Sequence, residues 1–123
     1  MRIETEPVTV HRDARGALIK AWPAPIAGEA YAVELRPGHP RGHHYHHHGG
    51  EWFVPLQGAA ILVAEDPSTG ERAVLRLETH RARVEAGIAH ALFAADGAPA
   101  LILAIADREW SDEVTTAYRV DPP

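Results

Sequence analysis

Five of the nine histidines fall within six positions, at His43, His44, His46, His47 and His48. Imidazole is a common metal ligand and titrates near neutrality, so this cluster points to metal or proton chemistry. His44 and His46 are one residue apart; on a strand both side chains project to one face, close enough to share an ion. Glu51 follows five positions after His46. If the Gly49-Gly50 turn or bulge restores the phase, the Glu51 carboxylate reaches the same point and adds a hard oxygen donor. A fourth donor must come from elsewhere. His90, heading a short segment after Gly87, is the best candidate, and His11, His39 and His80 are the other histidines outside the cluster. Three imidazoles and a carboxylate suit one divalent transition metal, zinc first, with iron, manganese, nickel or cobalt as alternatives and positions left open for water or substrate.

Other chemistries have few residues to work with. Cysteine is absent, which removes disulfides, thiolate metal sites and cysteine nucleophiles; serine occurs only at Ser68 and Ser111, and Lys20 is the sole lysine. A net charge of −5 argues against nucleic acid and against a polybasic membrane anchor, so a small solute is the expected partner. No apolar run approaches the roughly 18 residues of a membrane span. The start, MRIETEPVTV, lacks a signal-peptide layout, so a cytoplasmic location is expected.

The elements that must carry these residues are short. Eight β-favouring runs, Arg2–Val10, Ala17–Trp22, Ala30–Arg36, Trp52–Gln57, Ala60–Ala64, Ala73–Leu77, Ala100–Ala106 and Thr115–Val120, are separated by Gly- and Pro-rich turns. They predict one domain over residues 1–123, an all-β sandwich or barrel. Ala73–Leu77 alternates, with Val74 and Arg76 on one side and Ala73, Leu75 and Leu77 on the other, as a half-buried strand does. Leu101–Ala106 is apolar on both faces and reads as a core strand rather than a buried helix, given Pro99 and its β-branched content. Asp107–Val114 is the one expected helical turn. Alanine supplies 22 of the apolar residues, so the core depends on the Val, Ile, Leu and aromatic positions.

From Gly38, five residues lead to His44, one to His46, four to Glu51 and six to Gly58. This spacing resembles the first motif of the cupin superfamily at every fixed position. In the stretch similar to the second motif, Gly87 and His90 match, while Glu85 and Ala94 stand where that motif has Pro and Asn. Arg41-Gly42-His43-His44-Tyr45-His46 also resembles the R-G-x-H segments of the RmlC-type dTDP-4-dehydrorhamnose 3,5-epimerases and of sugar 3,4-ketoisomerases. Over about residues 30–120 the chain is similar to the carboxy-terminal cupin of CapF-type capsular polysaccharide enzymes. Gly49 replaces that family's Lys, and the Gly-rich dinucleotide loop of its reductase is missing from this sequence, so coupled reduction is not expected.

The resemblance implies a double-stranded β-helix, the cupin jelly-roll barrel, with a metal held by His44, His46, Glu51 and His90. It implies a metal-dependent epimerase or isomerase acting on a 4-keto-6-deoxy nucleotide sugar in polysaccharide or deoxysugar biosynthesis, working as a homodimer. Two other readings are a non-haem Fe(II) cupin oxygenase and a non-catalytic sugar-binding or regulatory cupin. Arg41 is expected to contact a substrate anion through its planar fork. His43, Tyr45, Tyr118 and Glu109 are acid–base candidates by chemistry, although strand parity turns His43 and Tyr45 away from the donors. In RmlC-type relatives the histidine aligned with His44 is itself the base, so ligation and proton abstraction compete for one side chain. Trp52, Trp110 and Tyr118 read as core or interface aromatics.

Overall fold

The computed structural model describes residues 1–123 as twelve short strands and one 3-10 turn. The strands are β1 (Glu4–Pro7), β2 (Thr9–Asp13), β3 (Gly16–Lys20), β4 (Glu29–Leu35), β5 (Arg41–His46), β6 (Glu51–Gln57), β7 (Ala60–Glu65), β8 (Arg72–Leu77), β9 (His80–Val84), β10 (Ala89–Ala94), β11 (Ala100–Ala106) and β12 (Thr115–Ala117); the turn is Trp110–Asp112. Two five-stranded sheets form, in the orders β1-β9-β6-β11-β4 and β12-β5-β10-β7-β8, and β2 pairs only with β3. All pairs are antiparallel. From β5 to β11 the chain crosses repeatedly between the sheets, the winding of an all-β double-stranded β-helix. No helix is long and apolar enough to cross a membrane.

Alternation along each strand builds the core. Leu35, Phe53, Leu62, Leu77 and Ile102 meet between the sheets with small alanines at Ala60, Ala82, Ala100 and Ala104. Outer faces are apolar too. Trp52, Val54 and Ile105 are covered by Val8, Ala21 and Trp22, while Val63, Ala89 and Ala91 are covered by Val120 and Tyr118. This double coverage is why Leu101–Ala106 reads as apolar on both faces yet forms strand β11. Strand β8 alternates as its sequence predicts, Val74 and Arg76 outward and Leu77 buried.

The structure departs from the expected elements in several places. Arg2–Val10 is two strands: β1 ends at Pro7, which has no N–H to extend the ladder, and the chain turns into β2. Only Thr115–Ala117 of the Thr115–Val120 run pairs. Strand β9 escaped detection because Arg81 and Arg83 occupy its outer face. Arg81 is nonetheless buried, its guanidinium lying 5.0 Å from the Trp22 ring centre and 5.6 Å from that of Trp52, with Nε donating to Glu6 at 2.9 Å.

Candidate metal centre

Strand β5 places His44 and His46 on one face, pointing into the barrel, and β10 lies beside it with His90 opposite His44. Between His90 and Ala91 the register shifts. Gly42 sits at this bulge with φ +107°, where a Cβ would come within 2.8 Å of the His90 carbonyl oxygen, so only glycine lets the two strands approach. Glu51 opens β6 in the facing sheet. The loop before it is held by carboxylates: Gly49 N–H donates to Glu113 and Gly50 N–H to Asp107, each at 3.0 Å. These bonds anchor the loop that carries the chain from β5 to β6 in the facing sheet. The ligand atoms of His44, His46, Glu51 and His90 all lie within 4.8 Å of one another.

The set suits a cation. Glu51, His90 and His46 are buried, at 2%, 3% and 5% exposure. Unpaired charges at such depth are costly, and a shared ion removes that cost. His46 Nε2 lies 2.7 Å from Glu51 Oε1 but is too poorly aligned to hydrogen-bond, and it has no other partner. A buried nitrogen lone pair aimed at other donors is what ligation requires. His90 Nδ1 donates to the Ile88 carbonyl at 3.0 Å, which leaves Nε2, 3.5 Å from Glu51 Oε1, free to bind. Burial, reinforced by the neighbouring His90 and His46, pulls His44 down to about 4, so its ring is neutral at pH 7. For Glu51 burial acts upward, but the close imidazoles of His46 and His90 and the Tyr31 hydroxyl together hold it well below the usual carboxylate range. Tyr31 donates to Glu51 Oε2 at 2.6 Å; burial and the Glu51 charge push its own pKa up, so it stays a phenol.

His44, Glu51 and His90 line a cavity of about 350 Å³. Val33, Phe53 and Leu92 form its apolar wall, and Arg41 and Trp110 also line it. Arg41 Nε donates to the Glu34 carbonyl at 3.2 Å. Glu29 and Tyr31, from β4, complete the polar wall. Neither was singled out in the sequence, although the alternation Glu29, Tyr31, Val33, Leu35 in β4 carries the signal for an inward face. Trp110, read as a core or interface aromatic, is not core: it is 51% exposed, and its ring lies 5.8 Å from that of His44.

The four acid–base candidates are not brought to the cavity. His43 Nδ1 accepts from Val120 N–H at 3.2 Å, and Tyr45 stacks on His47 at 5.5 Å. Both are turned away by the two-residue period of β5. Tyr118 donates to Glu65 at 2.9 Å on the outer face of the same sheet. Glu109 is exposed and precedes the 3-10 turn. His11, His39 and His80 are exposed and distant in the fold from the donor set, as His47 and His48 are exposed at the end of β5.

A two-sheet jelly roll whose inner face carries an H-x-H pair, a glutamate and a distant histidine defines a cupin. The chain belongs to the family of polysaccharide biosynthesis C-terminal domains, whose family model matches residues 11–116. A search of curated protein sequences gives no match. Among solved structures the chain is similar to a dTDP sugar isomerase from Desulfovibrio desulfuricans, with 16% identity, 97% of this chain and 85% of that chain covered, and a TM-score of 0.86. ChmJ, a 3'-monoepimerase from Streptomyces bikiniensis in complex with dTDP-quinovose, gives 16% identity over 90% of this chain and 67% of that one, with a TM-score of 0.76. The capsular polysaccharide assembling protein CapF from Staphylococcus aureus gives 17% identity and a TM-score of 0.70 over 93% of this chain but only 35% of that one. These likenesses confirm the fold.

Proposed function

We propose that the protein is a metal-dependent epimerase or isomerase of a 4-keto-6-deoxy nucleotide sugar. The observation that carries this reading is one cavity combining His44, Glu51 and His90 of the donor set, an arginine and two further proton-carrying side chains. The sugar-nucleotide activities of the similar structures support it. His44, His46, Glu51 and His90 would hold the ion, which when bound supplies a Lewis acid that polarises a ligand carbonyl.

The chain's own residues do the rest. Arg41 binds the diphosphate bidentately, and Val33, Phe53 and Leu92 exclude water from the reacting end. Besides the donors, Glu29 and Tyr31 are the carboxylate and hydroxyl lining the cavity. We assign to Glu29 the removal of the proton α to the ketone and, as the carboxylic acid so formed, its return to the ligand, while the Tyr31 hydroxyl holds Glu51. The proton count then balances without any redox partner. Action as a homodimer in the cytoplasm belongs to the same proposal; sedimentation at the mass of two chains checks the assembly.

The test is proton exchange. Zinc-loaded protein incubated with a 4-keto-6-deoxy nucleotide sugar in D₂O should exchange the proton on a carbon flanking the ketone, and chelated protein should not. Absence of exchange across several such sugars would overturn the proposal.

A further inference from the structure

We infer that Trp110 is a stacking platform for the sugar ring of the ligand, setting the depth at which the ring sits against His44. This rests on the nucleotide-sugar reading above. A half-exposed indole is an awkward surface residue, and the structure spends several polar contacts on holding it in place. The 3-10 turn that carries it buries none of its own residues. Trp110 N–H donates to Glu29 Oε1 at 2.6 Å, and its carbonyl accepts from Glu113 N–H at 3.2 Å. Glu113 in turn accepts from His48 and Gly49 N–H at 3.1 and 3.0 Å, and Arg108 donates to the Asp112 carbonyl at 2.9 Å. The turn is thereby tied to β4 on one side and to the loop between β5 and β6 on the other. The indole it presents has its ring centre 5.8 Å from that of His44 and 5.7 Å from that of His46. Half of its surface remains exposed, and it lines the cavity.

Position along β5 decides what the open face meets. Arg41 begins the strand and His44, beside the indole, lies three residues further on, a separation of about 10 Å at the usual rise per residue. The anion end and the indole end of the cavity are therefore distinct. A ligand whose carbonyl points at the donor set and whose diphosphate reaches Arg41 puts its sugar ring beside Trp110. Its nucleobase, joined through the diphosphate, falls beyond Arg41. Indole offers a flat apolar face to the C–H face of a pyranose, and nothing on that face competes for the ring's hydroxyls.

Calorimetric titration and tryptophan fluorescence of the zinc-loaded chain, with dTDP-quinovose and with dTDP as probes, test this. We expect dTDP-quinovose, and not dTDP, to change the emission that Trp110→Ala removes. Trp110→Ala should bind dTDP-quinovose about tenfold more weakly, with dTDP affinity kept within about twofold, and Trp110→Phe should recover most of the loss. Equal weakening towards both probes would place the indole under the nucleotide and overturn the inference. Unchanged affinity of Trp110→Ala for dTDP-quinovose would overturn it alone, leaving the proposed function standing. Failure of the unaltered chain to bind either probe overturns both.

Discussion

Tyr31→Phe removes one hydroxyl and keeps the ring, so it isolates the 2.6 Å hydrogen bond to Glu51 Oε2. That bond orients a carboxylate whose other oxygen faces His46 and His90. Loss of such an outer partner lowers metal affinity about 10–100-fold, or about 1.4–2.8 kcal/mol. Binding to the native state stabilises it by mass action. With zinc held at 100 times the unaltered chain's Kd, the ion contributes about 2.7 kcal/mol; a 30-fold weaker variant at the same zinc concentration retains about 0.9 kcal/mol. The difference, about 1.9 kcal/mol, corresponds to a gap between zinc-loaded and zinc-free Tm that narrows by about 6–10 °C in a chain of this size. Competition against a chromophoric chelator measures Kd directly, and paired melts with and without zinc measure the gap. A Kd within twofold of the unaltered chain, or an undiminished gap, would refute the assignment of Tyr31 as the group that holds Glu51 in place.

Acid should weaken the fold through His44. Its folded pKa of about 4 lies below the ordinary 6.5, so the unfolded chain binds more protons between those values; the stability is complete above pH 6.5 and declines as pH falls towards 4. Because the side chain is only partly buried, screening by solvent limits the loss to about 1–2 kcal/mol, readable in urea melts, and zinc content should fall over the same window. Gly42→Ala should cost about 1–3 kcal/mol and reduce zinc occupancy, since it strains a positive φ and drives a methyl into the His90 carbonyl; chemical denaturation and elemental analysis check both. Arg41→Ala should weaken dTDP binding about tenfold by calorimetry while leaving zinc content unchanged.

The convergence of His44, His46, Glu51 and His90 was legible because strand parity is a strong constraint: one intervening residue puts two imidazoles on one face whatever surrounds them. Their partners were harder to see. Tyr31 reaches Glu51 only because β4 lies across β11 from β6, a relation set by sheet order and carried by no local pattern. Trp110 reads as a core or interface aromatic because large aromatics usually are one or the other, and its exposed placement depends on polar anchors at Glu29, 81 residues away, and at Glu113. The four acid–base candidates rest on side-chain chemistry alone: the outward phase of β5 turns His43 and Tyr45 away, and Tyr118 and Glu109 lie outside the cavity lining. Strands β9 and β10 were missed for opposite reasons. In β9 arginines break the apolar alternation while stacking on tryptophans. In β10 alanine, a weak strand former, fills positions that only close packing explains.

Strand β5 lies between β10 and β12, and its outer side is fastened by Tyr118 N–H to the His43 carbonyl at 2.8 Å and by Val120 N–H to the His43 ring. Fraying cannot therefore separate His44 from His46 without breaking two ladders and uncovering a buried valine. An ion held there would leave through the openings that reach the donors, the cavity beside Arg41 and Trp110 and the smaller pocket at the Gly49-Gly50 loop, and not by the parting of the strands. A chelator would then strip such an ion without unfolding the chain.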